Sequence, residues 1–223
     1  PKAIEHRTTS SKARLIVTDS VNRPKLDEVR DCPPVLTISR RNGETVPAGD
    51  QDFDQALAQR STDFAPVMRT GGDACMMLFT SGTTGLAKGV TVPNKALMAI
   101  HMYMRYAVDL RDTDTYWNIA DPGWAYGLYF GAIGPLLLGH ATTLYDGPFS
   151  VDAACHVIEK YRISSLAGAP TAYRLLMAAG ADAAPRIRGL LRTVSSAGEP
   201  LNPEVIRWFR ETLDCPIHDH YGQ

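Results

Sequence analysis

Ten consecutive residues, Thr80–Gly89, combine the residue types that a phosphate-binding loop requires. They contain three glycines, four hydroxyl side chains and one lysine, and they follow a strongly apolar segment. Glycine lets backbone N–H groups turn toward a ligand, and successive N–H groups can surround an anion. The hydroxyls add donors, and Lys88 adds a compact positive charge suited to phosphate. The pattern therefore predicts a cradle for a triphosphate or a pyrophosphate.

This loop differs from a Walker A loop, which requires G-x-x-x-x-G-K-[ST], because Lys88 follows Ala87 and precedes Gly89. The next segment, Val90–Val92, is predicted as a strand, so no helix N-terminus directly follows the loop. An ordinary hairpin turn is the alternative interpretation. Such a turn does not need four hydroxyls and a lysine, so we treat the loop as the chemical centre.

The C-terminal half shows most clearly how the chain would position this chemistry. Five predicted strands alternate with four helical segments, which indicates a doubly wound parallel sheet with helices on both faces. Ser150 is predicted to cap a helix over 151–161, and Asn202 to cap a helix that begins at Pro203. An apolar segment over 125–138 is a further helix candidate, although its three glycines weaken that prediction.

The N-terminal half has weaker patterns. Helices are predicted over 3–12 and 54–60, and Asn94 is predicted to cap a helix that ends near Tyr106. Strands are predicted over 14–18, 35–39 and 74–80, with a loop over 39–52. The domain prediction is a first α/β lobe, 1–107, that ends with the phosphate loop and its following helix, and a second α/β lobe, 108–223.

Composition excludes several classes of protein. The 223 residues carry 23 Lys plus Arg against 24 Asp plus Glu, so we expect no general affinity for nucleic acid. The longest nearly apolar stretch, Ala132–Leu138, is far shorter than the roughly 20 residues that span a bilayer, and no signal peptide opens the chain. The scattered cysteines predict reduced thiols in a cytoplasmic protein: Cys32, Cys75, Cys155 and Cys215.

Metal ligands are weakly indicated. His218 and His220 would share one face of a strand and are conceivable as a metal pair. Because no third ligand is visible, the sequence predicts no metal-binding residues.

Four motifs, in order along the chain, resemble the AMP-forming acyl-CoA synthetase, adenylation-domain and luciferase superfamily. Leu78–Val90 resembles its phosphate loop, and Asp121–Gly127 resembles its acyl-pocket motif. Ser195–Leu201 resembles the adenine-side motif of the acetyl- and medium-chain acyl-CoA synthetase branch, and Asp219–Gln223 resembles the start of that branch's YGQTE motif. The resemblance implies two packed α/β lobes with mainly parallel sheets flanked by helices, as part of the large N-terminal domain.

The resemblance implies activation of a carboxylate by ATP with Mg²⁺, followed by transfer to coenzyme A. The loop residues would hold the β- and γ-phosphates: Thr80, Ser81, Gly82, Thr83, Thr84, Gly85 and Lys88. Among them, Lys88, Thr83 and Thr84 are the catalytic candidates. Gly198, Glu199 and Pro200 would line adenine, Asp219 would contact its amino group, and Tyr221 would stack on it. His220 and Gln223 are counted with the nucleotide site. Taken alone, Glu199 reads as a solvated helix lead-in and Tyr221 as a packing residue.

The acyl pocket implied by the resemblance is lined by Trp124, Ala125, Tyr126, Ala197 and Gly222. Taken alone, Trp124 and Tyr126 are more often core aromatics than pocket residues. Acetate-specific relatives carry Trp at the position of Gly222, so this chain is predicted to accept a medium-chain, branched or aromatic carboxylate, as in fatty acid metabolism. Asp121 receives no role, because Asp before Pro commonly begins a turn.

The chain departs from the family at its end, because the family motif continues with Thr-Glu after Gln223 and that Glu helps to hold Mg²⁺. We therefore expect a partial chain without the mobile C-terminal domain and without activity on its own. Two alternatives stay open: an adenylation domain that loads a carrier protein, and a nucleotide-binding fragment without catalysis. Homo-oligomerisation is also left open.

Overall fold

A helix and a three-stranded parallel sheet begin the chain in the computed structural model, which describes residues 1–39, 45–80 and 86–222. The helix is α1 (Lys2–Ser11), and the strands are β1 (Ile16–Asp19), β2 (Val35–Ile38) and β3 (Gln51–Asp52), in that spatial order. The carboxylate of Asp52 caps α2 (Phe53–Ala58) by accepting from the Gln55 N–H at 2.8 Å. The predicted helices and strands of this region are confirmed within two residues at their ends. The segment predicted as a loop, 39–52, ends instead in the short strand β3, and its residues 40–44 lie outside the described ranges.

An antiparallel pair follows, β4 (Ala74–Thr80) and β5 (Lys88–Pro93). The helix after it, α3 (Ala96–Tyr106), begins at Lys95 without a side-chain cap, so the predicted Asn94 cap was wrong. The Asn94 amide instead donates to the Thr70 carbonyl oxygen at 3.0 Å and is engaged at the base of the hairpin.

The C-terminal half contains a five-stranded sheet in which every neighbouring pair is parallel. This result confirms the predicted sheet. In spatial order the strands are β10 (Ile217–His220), β9 (Thr193–Ala197), β8 (Ser165–Gly168), β6 (Tyr116–Asn118) and β7 (Thr142–Thr143). The strand order reverses between β6 and β8, and open α/β sheets bind ligands at the carboxyl ends of strands beside such a reversal.

Helices cover both faces of this sheet. On β8, Leu166 packs into one apolar cluster with helices that follow β7, whereas the adjacent Ala167 packs into another with α3. Successive strand residues point to opposite faces, so both faces are buried as predicted. The helices after α3 are α4 (Ala125–Gly127), α5 (Gly134–Leu137), α6 (Val151–Tyr161), α7 (Pro170–Ala178), α8 (Gly180–Ile187) and α9 (Pro203–Thr212).

Two predicted caps begin helices of this half. Ser150 Oγ accepts from the Ala153 N–H at 3.1 Å at the start of α6, and Asn202 Oδ1 accepts from the Glu204 N–H at 2.8 Å at the start of α9. Helix α8 was not predicted, because it begins with glycine and contains Pro185, both poor in helix interiors.

The glycine-containing segment after β6 is helical, with one π turn, Leu128–Ile133, between α4 and α5. A side chain at Gly127 would lie 2.2 Å from the carbonyl oxygen of Asp121. Glycine at this position therefore allows the helix to pass close to the preceding loop. The same glycine that weakened the helix prediction is required for this packing.

The chain divides into two units, Pro1–Asn94 and Lys95–Gln223. Helix α3 lies in the second unit, and the lobe boundary at 107/108 stays a prediction of the sequence. Within the described ranges, no helix is long and apolar enough to cross a bilayer.

Candidate functional site

The hairpin places the two ends of the predicted phosphate loop side by side. Thr80, the last residue of β4, pairs directly with Lys88, the first residue of β5, and both are exposed. The loop between them was predicted to supply most phosphate contacts. Five of its residues lie outside the described ranges: Ser81, Gly82, Thr83, Thr84 and Gly85.

Helix α1 contacts the base of this loop through a residue that sequence reasoning missed. The His6 Nε2 atom lies 2.7 Å from the carbonyl oxygen of Ala87, and the His6 ring meets the edge of Phe79 with 6.1 Å between centroids. Arg7 lies over the same Phe79 ring at 5.8 Å. The predicted helix over 3–12 carried no signal for this contact, because Ala87 is 81 residues away in sequence.

In the second unit, three predicted motifs meet at the carboxyl edge of one parallel sheet. Asp121–Gly127 follows β6, and Gly198–Pro200 follows β9. Asp219–Gly222 begins within β10, which pairs with β9 in the register His220↔Ala197. This edge is where a doubly wound sheet binds its ligand.

Glu199 is held by two residues near the start of α7. Thr171 Oγ1 donates to its carboxylate at 2.9 Å, and Arg174 Nη2 donates at 2.8 Å. Hydrogen bonding from Arg174 first, and from Thr171 second, lowers the pKa of Glu199. Glu199 is therefore a fixed carboxylate and not a free helix lead-in. The sequence predicted this helix but not the two partners. The available signal was a hydroxyl and a guanidinium near the start of a helix that begins at the ligand-binding edge of the sheet.

The end of β10 exposes two of its predicted nucleotide residues and buries part of the third. Asp219 is exposed, and the side chain of Tyr221 is 89% exposed, as a stacking platform requires. His220 is half-buried, and its Nδ1 atom forms a short hydrogen bond with the hydroxyl of Tyr103 on α3. Burial is the main cause of a lowered pKa at His220. Gln223 lies outside the described residues.

The predicted acyl-pocket residues occupy two places along this edge. Ala197 is buried at the end of β9, and Gly222 follows β10, where an added Cβ would meet no atom within 4 Å. Trp124, Ala125 and Tyr126 follow β6, and Trp124 is 76% exposed. A Cβ could therefore be added at Gly222 without contact with the described residues.

Tyr126 differs from its neighbours in being largely enclosed. Burial raises the pKa of its phenol well above the ordinary range, so the hydroxyl stays protonated. That hydroxyl is buried and has no hydrogen-bond partner among the described residues. An unpaired buried hydroxyl costs about 1–3 kcal/mol, which a polar atom of a ligand or a water molecule would recover.

A cavity of about 570 Å³ opens at the carboxyl ends of β6 and β7. Asp121 and Pro122 of the acyl-pocket motif line it, together with Trp117, Tyr145 and Phe149. The five predicted acyl-pocket residues do not line it, so the cavity and the predicted pocket are different features. Among the described residues, no three His, Cys, Asp or Glu side chains lie together as metal ligands.

The whole chain, residues 1–223, matches the AMP-binding enzyme family, and the chain belongs to that family. It is 33% identical to the acetyl-coenzyme A synthetase of Bacillus subtilis over 222 residues, which cover 97% of this chain and 38% of that protein. It is likewise 33% identical to the acetyl-coenzyme A synthetase of Novosphingobium aromaticivorans, covering 100% of this chain and 38% of the relative. The chain thus spans well under half the length of these curated relatives.

Solved structures give the same assignment. The crystal structure of an acyl-CoA synthetase from Brucella canis superposes with a TM-score of 0.95 at 58% identity, over 100% of this chain and 41% of that one. An anthranilate CoA ligase, AuaEII, solved with anthranoyl-AMP, superposes with a TM-score of 0.88 at 21% identity over 97% of this chain and 42% of its own, which supports the fold alone. The α/β class predicted from the motifs is confirmed.

Proposed function

We propose that this chain is part of an AMP-forming acyl-CoA ligase, an acid–thiol ligase that activates a carboxylic acid with ATP. The carrying observation is the meeting of three motifs at the carboxyl edge of one parallel sheet, after β6, after β9 and at the end of β10. An adenylate needs both a base-binding and an acyl-binding surface, and this edge offers both kinds of residue.

In the proposed first step, a carboxylate oxygen attacks the α-phosphorus of ATP, and pyrophosphate leaves. The described loop ends, Thr80 and Lys88, would hold the β- and γ-phosphates together with Ser81, Gly82, Thr83, Thr84 and Gly85. The protein acts here by positioning the reactants and stabilising charge. In the second step, the thiol of coenzyme A attacks the acyl carbonyl carbon, and AMP leaves with its phosphate oxygen.

The adenine would lie between two motifs of the second unit. Gly198, Glu199 and Pro200 would line one side, and Tyr221 would stack on the ring. Asp219 would accept from the exocyclic amino group, with His220 and Gln223 nearby in sequence. The fixed Glu199 carboxylate and the exposed Tyr221 ring support this arrangement.

Magnesium accompanies ATP in the reaction that we propose. Among the described residues, no three His, Cys, Asp or Glu side chains lie together as ligands for it. The phosphates of ATP would hold the ion.

For the substrate, we propose a medium-chain, branched or aromatic carboxylate. The open space at Gly222 supports room for more carbons than acetate has. Because the buried hydroxyl of Tyr126 has no partner among the described residues, acids that carry a polar substituent are included in the test. The four free cysteines suit a reducing compartment, and the cytoplasm is the proposed location.

The test is ATP–pyrophosphate exchange by the full-length parent protein over a panel of carboxylates from acetate to octanoate and substituted benzoates. We expect exchange with the longer or aromatic acids and little with acetate. Lys88→Met should lower exchange about 100-fold, the typical loss when one charge-stabilising donor is removed. Lys95→Met, which changes an exposed lysine outside the four motifs, is the matched control.

Exchange with no acid in the panel would contradict the proposed reaction. Acyl transfer to coenzyme A, measured as thioester, separates the ligase from an adenylation domain that loads a carrier protein. Because the chain covers 38% of its curated relatives, we expect the 223 residues alone to form no thioester.

A further inference from the structure

A series of aromatic rings connects the predicted acyl-pocket motif, Asp121–Gly127, to the predicted Asp219–Gln223 motif. Tyr126 meets the edge of Phe130 with 5.6 Å between centroids, and Phe130 stacks on Tyr103 with 4.1 Å between centroids. Tyr103 in turn meets the His220 ring at 90° and 5.1 Å. Tyr103 and Phe130 belong to neither motif, yet both lie between them.

The hydrogen bond between Tyr103 and His220 ties the last residue of β10 to helix α3. The Tyr103 hydroxyl is the donor, because burial raises the pKa of this phenol to about 12 and keeps it protonated. The Nδ1 atom of a neutral His220 is then the acceptor. Asp219 and Tyr221 flank His220 directly in the chain, and both are exposed.

We infer that Tyr103 is a positioning residue of the nucleotide site, which holds His220 and thereby aims Asp219 and Tyr221 at the adenine ring. This inference rests on the proposed function. Tyr103 itself lies on α3, more than a hundred residues from β10 in sequence, and it is half-buried. It touches no reacting atom in this scheme, so its effect is on ATP binding.

The same cluster supplies a matched control. Tyr116 is fully buried, and its hydroxyl donates to the carbonyl oxygen of Phe130 at 2.7 Å. Tyr116→Phe therefore removes one phenolic hydroxyl from the same aromatic cluster without touching His220. A general loosening of the cluster would affect both variants, whereas a role through His220 would affect Tyr103→Phe alone.

The experiment measures the Kd of ATP by calorimetry, and the KM of ATP and kcat in pyrophosphate exchange, on the full-length parent. We expect Tyr103→Phe to raise the Kd and KM of ATP about tenfold, the value of one hydrogen bond of about 1.4 kcal/mol, with kcat little changed. Tyr116→Phe should leave ATP binding within twofold of wild type. The losses from Tyr103→Phe and His220→Leu should be less than additive in the double variant, because both remove the hydrogen bond between these two side chains, while His220→Leu also removes a hydrogen bond to the Ala107 backbone.

ATP binding by Tyr103→Phe that equals wild type, or that falls equally in Tyr116→Phe, would overturn the inference. If Tyr103→Phe does not fold, His220→Gln and His220→Leu replace it: Gln keeps an acceptor and should retain tighter ATP binding, and equal losses would refute the anchor. If the wild-type protein binds ATP but shows no pyrophosphate exchange with any acid of the panel, the proposed reaction is contradicted. The Kd values of ATP for the variants would still test the positioning role of Tyr103.

Discussion

The two ends of the five-stranded sheet use polar residues in opposite ways. At the amino end, Arg192 donates to Asp114 at 2.6 Å and to Asp109 at 2.8 Å, and Ser164 donates to Asp114 at 2.8 Å. The side chain of Asp114 is only 2% exposed. At the carboxyl end, Asp219 is exposed, and Tyr221 is 89% exposed.

This difference separates structural from functional use of charge. At the amino end, the charged groups form ion pairs with one another. Few of their hydrogen-bonding positions are therefore left for a ligand. At the carboxyl end, the side chains held in place, Glu199 and His220, are anchored by partners behind them, while their neighbours face outward. We therefore expect substitutions at the amino end to change stability and substitutions at the carboxyl end to change binding.

Arg192→Met should produce the largest effect, a loss of stability. It leaves the buried Asp114 carboxylate without its guanidinium partner, and breaking a buried ion pair costs about 3 kcal/mol. The melting temperature of the full-length parent should fall clearly, while the KM of ATP stays unchanged in protein that remains folded. Arg210→Met is the control, since Arg210 is 68% exposed and pairs with Glu211 at 3.3 Å. An equal fall in melting temperature in both variants would contradict a structural role for the charged cluster at the amino end of the sheet.

The same variant has a predicted pH dependence. Burial favours the neutral acid, but hydrogen bonds from Arg192, the Arg111 N–H and Ser164 outweigh it and lower the pKa of Asp114. A lowered folded pKa stabilises the protein above the unfolded value of about 3.9, and the contribution is lost as pH falls through the folded value. The difference in melting temperature between wild type and Arg192→Met should therefore narrow below about pH 4, measured by thermal scans between pH 7 and pH 3.

Gly222→Trp should have the next largest effect, and it is confined to substrate choice. The indole would fill the open space beside the end of β10 and exclude longer acids. Loss of pocket space for a few carbons changes kcat/KM by about 10- to 100-fold per acid, so preference should move toward acetate or propionate. The measurement is pyrophosphate exchange across straight-chain acids. An unchanged chain-length profile would refute the assignment of Gly222 to the acyl pocket.

Arg174→Met tests the anchored carboxylate at the carboxyl end. Without this partner, Glu199 keeps only Thr171, and we expect the KM of ATP to rise roughly fivefold, which corresponds to about 1 kcal/mol, the value of one ordinary hydrogen bond. Stability should change little, because both side chains are more than two-fifths exposed. Arg186→Met is the control: Arg186 on α8 forms ion pairs with two carboxylates on α6, Asp152 and Glu159. An equal KM for the two variants would contradict a role for Glu199 in nucleotide binding.

Local chemistry made much of the fold predictable from sequence. The caps at Ser150 and Asn202 lie directly before their helices, and the apolar stripe of α9 is buried at Val205, Phe209 and Leu213. Long-range contacts were not predictable. The partners of Glu199 and His220 lie 25 to 117 residues away in sequence, and nothing at Arg174 or Tyr103 indicates which residue each will meet.

The sequence predicted which residues form the motifs, but it did not predict the residues that contact them. Gly127 counted against a helix in the sequence and proves to be the close-approach point that the helix requires. Asn94 has the residue type of a cap, yet its amide bonds to Thr70 instead. In both cases the deciding contact is with a residue outside the local window.

The smallest predicted effect compares two glycines on either side of β9. Gly198 follows the strand with φ of 97°, and Gly189 precedes it with φ of 75°; an added Cβ would meet no atom within 4 Å at either position. Alanine at each should therefore cost stability only through backbone strain, about 1 kcal/mol in both cases. Gly198→Ala should in addition weaken ATP binding severalfold, because relief of that strain would shift the adenine-lining segment, whereas Gly189→Ala should not. Equal stability losses with unequal Kd values for ATP would distinguish the two ends of the strand, and equal Kd values would place Gly198 outside the nucleotide site.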